Sequence, residues 1–245
     1  MSLLEVQNVS KGFGGVRAVS DVSFELDEGD LIGIMGPNGS GKTTLFNVIA
    51  GALAPDAGHV RLGGREIGGL ASHRVCAHGI ARTFQLVRPF AGLTALENVL
   101  VGRLFGRHTR RAGNVEEAER LLGLVGLEGR AEVPASKLTL IDRKRLELAR
   151  ALATAPRVLL LDEFLAGLHP AETATAMALI RKLVAGGTTV LMVEHIVWAL
   201  MELSKRIIVL SAGEKIAEGP PDAVAANPAV IDVYLGTERR SPMRA

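Results

Sequence analysis

In the stretch Gly36-Pro37-Asn38-Gly39-Ser40-Gly41-Lys42-Thr43-Thr44, the first eight residues fit the pattern G-x-x-x-x-G-K-[ST] without a mismatch. Each residue type in it has a use against a polyphosphate. Gly36, Gly39 and Gly41 have no Cβ, so the backbone can curl tightly and turn successive N–H groups toward phosphate oxygens. A helix expected to begin near Gly41 adds the positive end of its dipole. Lys42 has the reach for β- and γ-phosphate oxygens, and the Thr43 hydroxyl is a donor suited to Mg²⁺. The spacing implies a bound nucleoside triphosphate.

Three further positions extend this chemistry. Val158 to Leu161 reads as a buried strand that ends in Asp162 and Glu163, whose carboxylates would emerge at a carboxyl edge, where doubly wound sheets place their ligands. Asp162 suits a Mg²⁺ shell and Glu163 a general base that polarises the attacking water. Gln85 follows Ile80 to Phe84, and His195 follows the strand Thr189 to Glu194. A neutral amide can touch a metal or a water without adding charge, and an imidazole can donate to a γ-phosphate. The expected catalytic set is therefore Glu163, His195 and Gln85, and the expected metal set is Thr43, Gln85 and Asp162.

These groups need a scaffold that carries them to one edge. Asp30 to Met35 reads as a short buried strand entering the glycine-rich loop, and Lys42 to Ala50 as a helix stopped at Gly51. Leu4 to Val9 and Val22 to Leu26, joined by a turn at Gly12 to Gly15, alternate like an antiparallel ribbon, and His59 to Ile67 reads as another hairpin. From Ala91 to Ala135 the period turns helical, with Thr94 to Glu97 as a capping box and Glu116 to Leu122 as an amphipathic stretch. Strands near 158–162, 188–194 and 206–211 then restore the alternation of a parallel sheet. The expected fold is α/β: a P-loop NTPase core with a parallel sheet, an N-terminal antiparallel β subdomain and an inserted α-helical subdomain at about 91–155. Residues 1–236 form one nucleotide-binding domain and 237–245 a flexible tail.

Composition narrows the function. The 245 residues carry 28 Lys and Arg against 26 Asp and Glu, a net +2 that gives no electrostatic case for nucleic acid. Hydrophobic residues make up 48% of the chain, yet no apolar run approaches the roughly 20 residues that cross a bilayer. One cysteine, Cys76, excludes an internal disulfide framework, and no signal peptide precedes Val6, so a cytoplasmic location is the expectation. His59, His73, His78 and His108 lack a ligand spacing and are read as surface or loop residues.

With these motifs in this order, residues 4 to 236 resemble the ATP-binding subunit of ATP-binding cassette (ABC) transporters. The resemblance implies ATP as the nucleotide, held by Gly36 to Thr44, with Mg²⁺. It puts Gln85 in the glutamine loop, His195 in the switch histidine loop, and Ala166-Gly167-Leu168-His169 in the loop that crosses between paired subunits. Phe13 falls at the position that stacks on adenine; as a residue it reads equally as hairpin packing. The signature segment, commonly L-S-G-G-Q, aligns with Leu138-Thr139-Leu140-Ile141-Asp142 and acts on the partner's ATP. Thr139 keeps a hydroxyl, but Leu140 and Ile141 replace both glycines. Asp142 replaces the amide and adds a negative charge near phosphate unless it points away and caps the helix, a role that suits Asp.

Phe13-Gly14-Gly15, Thr44-Leu45-Phe46-Asn47, Gly79 to Gln85, Val193-Glu194-His195, Gly213 to Gly219 and Val230 to Gly236 are similar to the branched-chain amino acid uptake group. That implies an ATPase coupled to transmembrane import. Its partners would be a second ABC ATPase subunit in a homo- or heterodimer, integral-membrane permease subunits and, indirectly, a periplasmic or extracytoplasmic substrate-binding protein. Its place would be peripheral, on the inner face of the cell membrane. A docking surface is expected around Gln85 to Gly106, with Leu86, Val87, Phe90, Leu93 and Leu96 as candidates. The alternatives are a cassette for another cargo, such as urea, amides or lipid, and a soluble, non-transport ABC ATPase.

Overall fold

The computed structural model describes residues 2–85, 87–107 and 115–235. Leu86, His108 and the tail 237–245, each given a reading above, lie outside the described residues. Strands β1 (Ser2–Phe13) and β2 (Val16–Asp27) form the expected hairpin, which turns at Gly14 and Gly15, both with positive φ. With β4 (Ala57–Leu62) and β5 (Arg65–Glu66) they make an antiparallel sheet in the order β2-β1-β4-β5. A second sheet of six strands runs β10-β9-β3-β8-β7-β6, from β3 (Leu31–Met35), β6 (Ile80–Arg82), β7 (Val158–Asp162), β8 (Thr189–Val193), β9 (Arg206–Ser211) and β10 (Glu214–Gly219). All its pairings are parallel except β9 with β10, a hairpin that polar Glu214 to Gly219 does not announce by hydropathy.

The continuous apolar runs of the central strands have a physical use. Successive side chains point to opposite faces, and here each face is a core. Ile32, Ile34, Val158, Leu160, Leu191, Val193, Ile208 and Leu210 pack against the antiparallel sheet and α1 (Lys42–Ile49). Leu31, Met35, Leu159, Leu161, Val190, Met192, Ile207 and Val209 join a second core with the helices. Gly33 is where α7 (Val197–Leu203) comes closest: a Cβ there would lie 2.6 Å from both Leu200 and Ser204. Burying one such strand side chain contributes about 1.5–3 kcal/mol, so both faces of the sheet are held by packing.

Helices α3 (Ala95–Phe105), α4 (Val115–Leu124) and α5 (Leu140–Ala153) pack together between β6 and β7 in sequence, which is the helical stretch expected from the periodicity. The capping box at α3 is formed: Thr94 Oγ1 accepts from the Glu97 N–H at 3.2 Å and Glu97 Oε2 from the Thr94 N–H at 2.7 Å. Among the described residues the other α-helices are α2 (Ser72–His78), α6 (Pro170–Ala185), α7, α8 (Pro221–Ala225) and α9 (Pro228–Leu235). Of the histidines read as surface or loop residues, His59 on β4 and His73 on α2 are exposed and His78 on α2 is partly buried.

Asn98, fully buried on α3, fixes the segment that leads from the sheet to the helices. Its Oδ1 accepts from the Phe90 N–H at 2.8 Å, and its Nδ2 donates to the Thr94 carbonyl at 2.8 Å and the Phe90 carbonyl at 3.1 Å. Asn98→Ala removes all three side-chain bonds and leaves the Phe90 N–H without its acceptor, and is expected to lower the unfolding free energy by about 1–3 kcal/mol. A urea titration measures this, and limited proteolysis should show new cleavage near Phe90.

Candidate functional site

Helix α1 differs from its neighbours at its first turn. Its N-cap is Gly41 in the left-handed region (φ 101°), no side chain caps it, and no acid lies in the first turn. The orphan N–H groups that Thr94 and Thr139 partly satisfy at α3 and α5 are left here for an anion. The loop before it cannot carry side chains at two glycines: a Cβ would lie 2.1 Å from the Leu210 carbonyl oxygen at Gly36 and 2.2 Å from that of Ala18 at Gly41. At Gly39 a Cβ would meet nothing within 4 Å, so the loop faces open space there. The buried Lys42 Nζ donates to the carbonyls of Gly36 at 2.8 Å and Pro37 at 2.9 Å. Burial lowers its pKa, while Glu163 and Asp162 oppose that shift and favour the ammonium.

At the carboxyl end of β7 the acids take separate partners. Glu163 adopts φ 49°, uncommon for a residue with a Cβ. Its Oε2 accepts from Gln85 Nε2 at 2.6 Å and its Oε1 lies 2.7 Å from His195 Nε2. Three residues from three loops, expected from sequence to form one catalytic set, thus meet on one carboxylate. Gln85 spends its amide N–H on Glu163, which leaves its carbonyl oxygen as the free ligand atom.

Asp162 is held differently from the expectation of a carboxylate waiting for metal. Its Oδ2 accepts from Arg82 Nη2 at 2.6 Å, and Arg82 Nη1 donates to Asn47 Oδ1 at 2.6 Å. The guanidinium also lies near the rings of Phe84 and Phe46, 5.3 and 5.8 Å from their centroids. Arg82 and Asn47 carried no role in the sequence reading. The signal was present only as an arginine ending a strand beside the acid-tipped one, a neighbour relation that pairing of β6 with β7 creates.

Thr43, Gln85 and Asp162 line one cavity of 390 Å³, with Arg82, Phe84, Arg88 and Arg150. Hydroxyl, amide oxygen and one carboxylate are hard oxygen donors of the kind that suits Mg²⁺ carried in on phosphates. Among the described residues no group of three or more His, Cys, Asp and Glu could hold a metal ion unaided. Phe13 stands apart, half-exposed in a separate cleft of 590 Å³, with the Lys11 ammonium 5.7 Å from its ring centroid.

The signature segment shows which group caps α5 and where Asp142 turns. Thr139, not Asp142, caps α5: its Oγ1 accepts from the Asp142 N–H at 3.3 Å. The Asp142 carboxylate is buried in the first turn and its Oδ1 lies 3.5 Å from Arg145 Nη1. Asp142 therefore does turn to a local partner, as a paired first-turn acid. Leu138 is buried, Leu140 is 52% exposed, and Ile141 is half-buried.

A group of buried charges that the motifs did not reveal lies under this site. Glu194, 2% exposed, accepts from the Leu165 N–H at 2.7 Å. Burial pushes its pKa up to about 7, against the pull of the Leu165 N–H and Lys144. Lys144, on α5, is equally buried, and Glu147 Oε2 accepts from the Phe84 N–H at 3.3 Å.

Comparisons with known proteins give the family of the chain. A family profile described as "ABC transporter" matches residues 19–166, and one described as "Branched-chain amino acid ATP-binding cassette transporter" matches residues 214–240. The chain is similar to the high-affinity branched-chain amino acid transport ATP-binding protein BraF of Pseudomonas aeruginosa, at 40% identity over 96% of this chain and 98% of the relative. It is similar also to the corresponding protein LivG of Escherichia coli, at 38% identity over 96% and 98%. Among solved structures, the ADP conformation of an ATP-binding cassette of an ABC transporter superposes with a TM-score of 0.87 at 32% identity, over 97% of this chain and all of that one.

Two outcomes are expected. Arg82→Ala frees Asp162 to swing and should raise the Mg²⁺ concentration needed for tight binding of a fluorescent ATP analogue by about 10-fold or more; an unchanged Mg²⁺ titration would count against that orienting contact. Because the folded pKa of Glu194 lies above its ordinary 4.5, the folded state holds the extra proton between pH 4.5 and about 7. Stability from this group is therefore present at low pH and lost as pH rises through that window. Glu194→Gln should accordingly gain thermal stability relative to the parent from about pH 4.5 to about 7 and level off above it, as read by melting curves across pH.

Proposed function

The chain belongs to the ABC transporter family as an ATP-hydrolysing subunit, and we propose that it powers an importer of branched-chain or other hydrophobic amino acids. The observation that carries the catalytic part is the carboxylate of Glu163 bonded to both Gln85 and His195 at the sheet edge that also bears Lys42. The cargo reading rests on the names of the relatives and on the second family profile.

In this reading Gly36 to Thr44 wraps the triphosphate of ATP. Lys42 exchanges two neutral carbonyl partners for anionic oxygens, a stronger, charge-assisted set of bonds, and a bound anion further favours its ammonium. Thr43, Asp162 and Gln85 would hold Mg²⁺, which supplies charge neutralisation on the phosphates when bound. Glu163 orients the attacking water and takes its proton, and His195 donates to the γ-phosphate from beside that carboxylate. Phe13 gives the adenine an exposed face to stack on.

ABC ATPase cassettes dimerise and work with membrane permease components, so the site is completed by the signature segment of a second ATPase subunit, while Leu138 to Asp142 serve the partner's site. No helix among the described residues is long and apolar enough to cross a membrane. We assign the permease to a groove of 370 Å³ between the sheet and the helices, whose lining includes Phe84, Phe90, Phe105, Arg88 and Arg150. Of the expected docking residues Phe90 lies in that lining, whereas Leu96 packs on the core. The chain would then sit peripherally on the cytoplasmic face of the membrane, and a substrate-binding protein outside would select the cargo.

Glu163→Gln in the assembled transporter should keep ATP binding and lower turnover by about 100-fold or more. Uptake of labelled leucine in a strain lacking the chromosomal copy should return with the parent chain and fail with the variant. Leucine uptake that is unaffected by deletion would overturn the cargo reading, and normal turnover of the variant would overturn the role of Glu163.

A further inference from the structure

The turn that carries Glu163 is bonded on both sides by buried charged groups that the reaction above leaves unused. Lys144, in the second turn of α5 and 4% exposed, donates to the Phe164 carbonyl at 2.9 Å, with the Glu163 carbonyl oxygen 3.4 Å away. Glu194, just past β8, accepts from the Leu165 N–H at 2.7 Å. The N–H of Glu163 itself donates to the Val193 carbonyl at 2.9 Å, and that of Ala166 to the Glu163 carbonyl at 3.1 Å. Every peptide unit from 163 to 165 therefore meets a partner that is either buried charge or a neighbouring strand.

Such an arrangement is expensive as a stabiliser. An ammonium and a carboxylate are withdrawn from water, and both bond main-chain groups of one short turn. Burial accordingly lowers the pKa of Lys144, while Glu194, Glu147 and Glu163 hold its charge. What the turn gains is a fixed left-handed residue: Glu163 has φ 49°, a conformation that a glutamate keeps only where its surroundings over-determine it. We propose that Lys144 and Glu194 are positioning residues for Glu163, clamping the turn so that its carboxylate meets Gln85 and His195. The inference rests on the base role given to Glu163 above. It also makes α5, which opens with the signature segment, the element that directly braces the chain's own base.

The test is steady-state ATP hydrolysis by the assembled transporter with Lys144→Met, Lys144→Arg, Lys144→Met/Glu194→Gln and Glu163→Gln. Lys144→Met should lower kcat by roughly 10- to 100-fold, the scale of a misplacement of about 1 Å, with the KM for ATP within about twofold. Lys144→Arg restores a buried cation that donates to carbonyls and should recover most of the rate. The double variant removes both buried charges and keeps an amide oxygen for the Leu165 N–H, so it remains informative where the single variant fails to fold; it should show the same loss in kcat. Turnover of the double variant within about twofold of the parent, or a loss shared equally by KM and binding, would overturn the proposal. Normal turnover of Glu163→Gln would remove the base role and the clamp with it, whereas an inactive Glu163→Gln beside an active double variant would remove the clamp alone.

Discussion

Opposed charges held at close quarters on the carboxyl edge of one buried sheet are what the rest of this molecule is organised around. Lys42 and the uncapped first turn of α1 supply positive potential; Asp162 and Glu163 supply carboxylates one strand removed. In water these groups would screen one another and drift. Here the strands that carry them are apolar on both faces and close-packed, so their termini are set by the register of β3 with β8 and of β8 with β7. Burial disfavours the Lys42 ammonium while Glu163 and Asp162 favour it, so the cation of this edge depends on the acids beside it.

The two acids are separated by one peptide bond but differ in environment. Asp162 ends a regular strand and is locked by the two-pronged bridge of Arg82 to Asn47. Glu163 departs from the strand in the left-handed region, which aims its side chain at the loops that carry Gln85 and His195 instead of along the sheet. One sequence step thus gives two roles, because a strand residue and a left-handed residue project in different directions.

The parts of this site legible in the sequence were those that local chemistry dictates. The glycines of the phosphate loop, the acid-tipped apolar strand and the capping box at Thr94 each follow from residue type and spacing, and each occupies its expected place. The braces were not legible. Arg82, Lys144 and Glu194 read as ordinary charged residues in a strand, an amphipathic helix and a strand end, and nothing local says that tertiary packing buries them. Their partners are distant in sequence: Arg82 meets Asp162, and Lys144 meets a carbonyl of Phe164, only after parallel strands and a helix are assembled. The place of Asp142 was left open for a related reason. Thr139 and Asp142 are both good caps, and the choice between them depended on where α5 begins.

That beginning bears on how the two ends of the molecule divide their work. An anion seat needs free N–H groups and an unopposed helix dipole. Helix α1 has both. Helix α5 has neither in full, since Thr139 takes one N–H and the Asp142 carboxylate, although paired with Arg145, sits against the same turn. The exposed side chain of Leu140 also covers ground where a glycine would let backbone approach closely. The first turn of α1 is consequently a better seat for an anion than the first turn of α5. Lys144 lies on the same helix a turn further on, so a helix poorly equipped to grip a distant phosphate is firmly tied to the turn that carries Glu163.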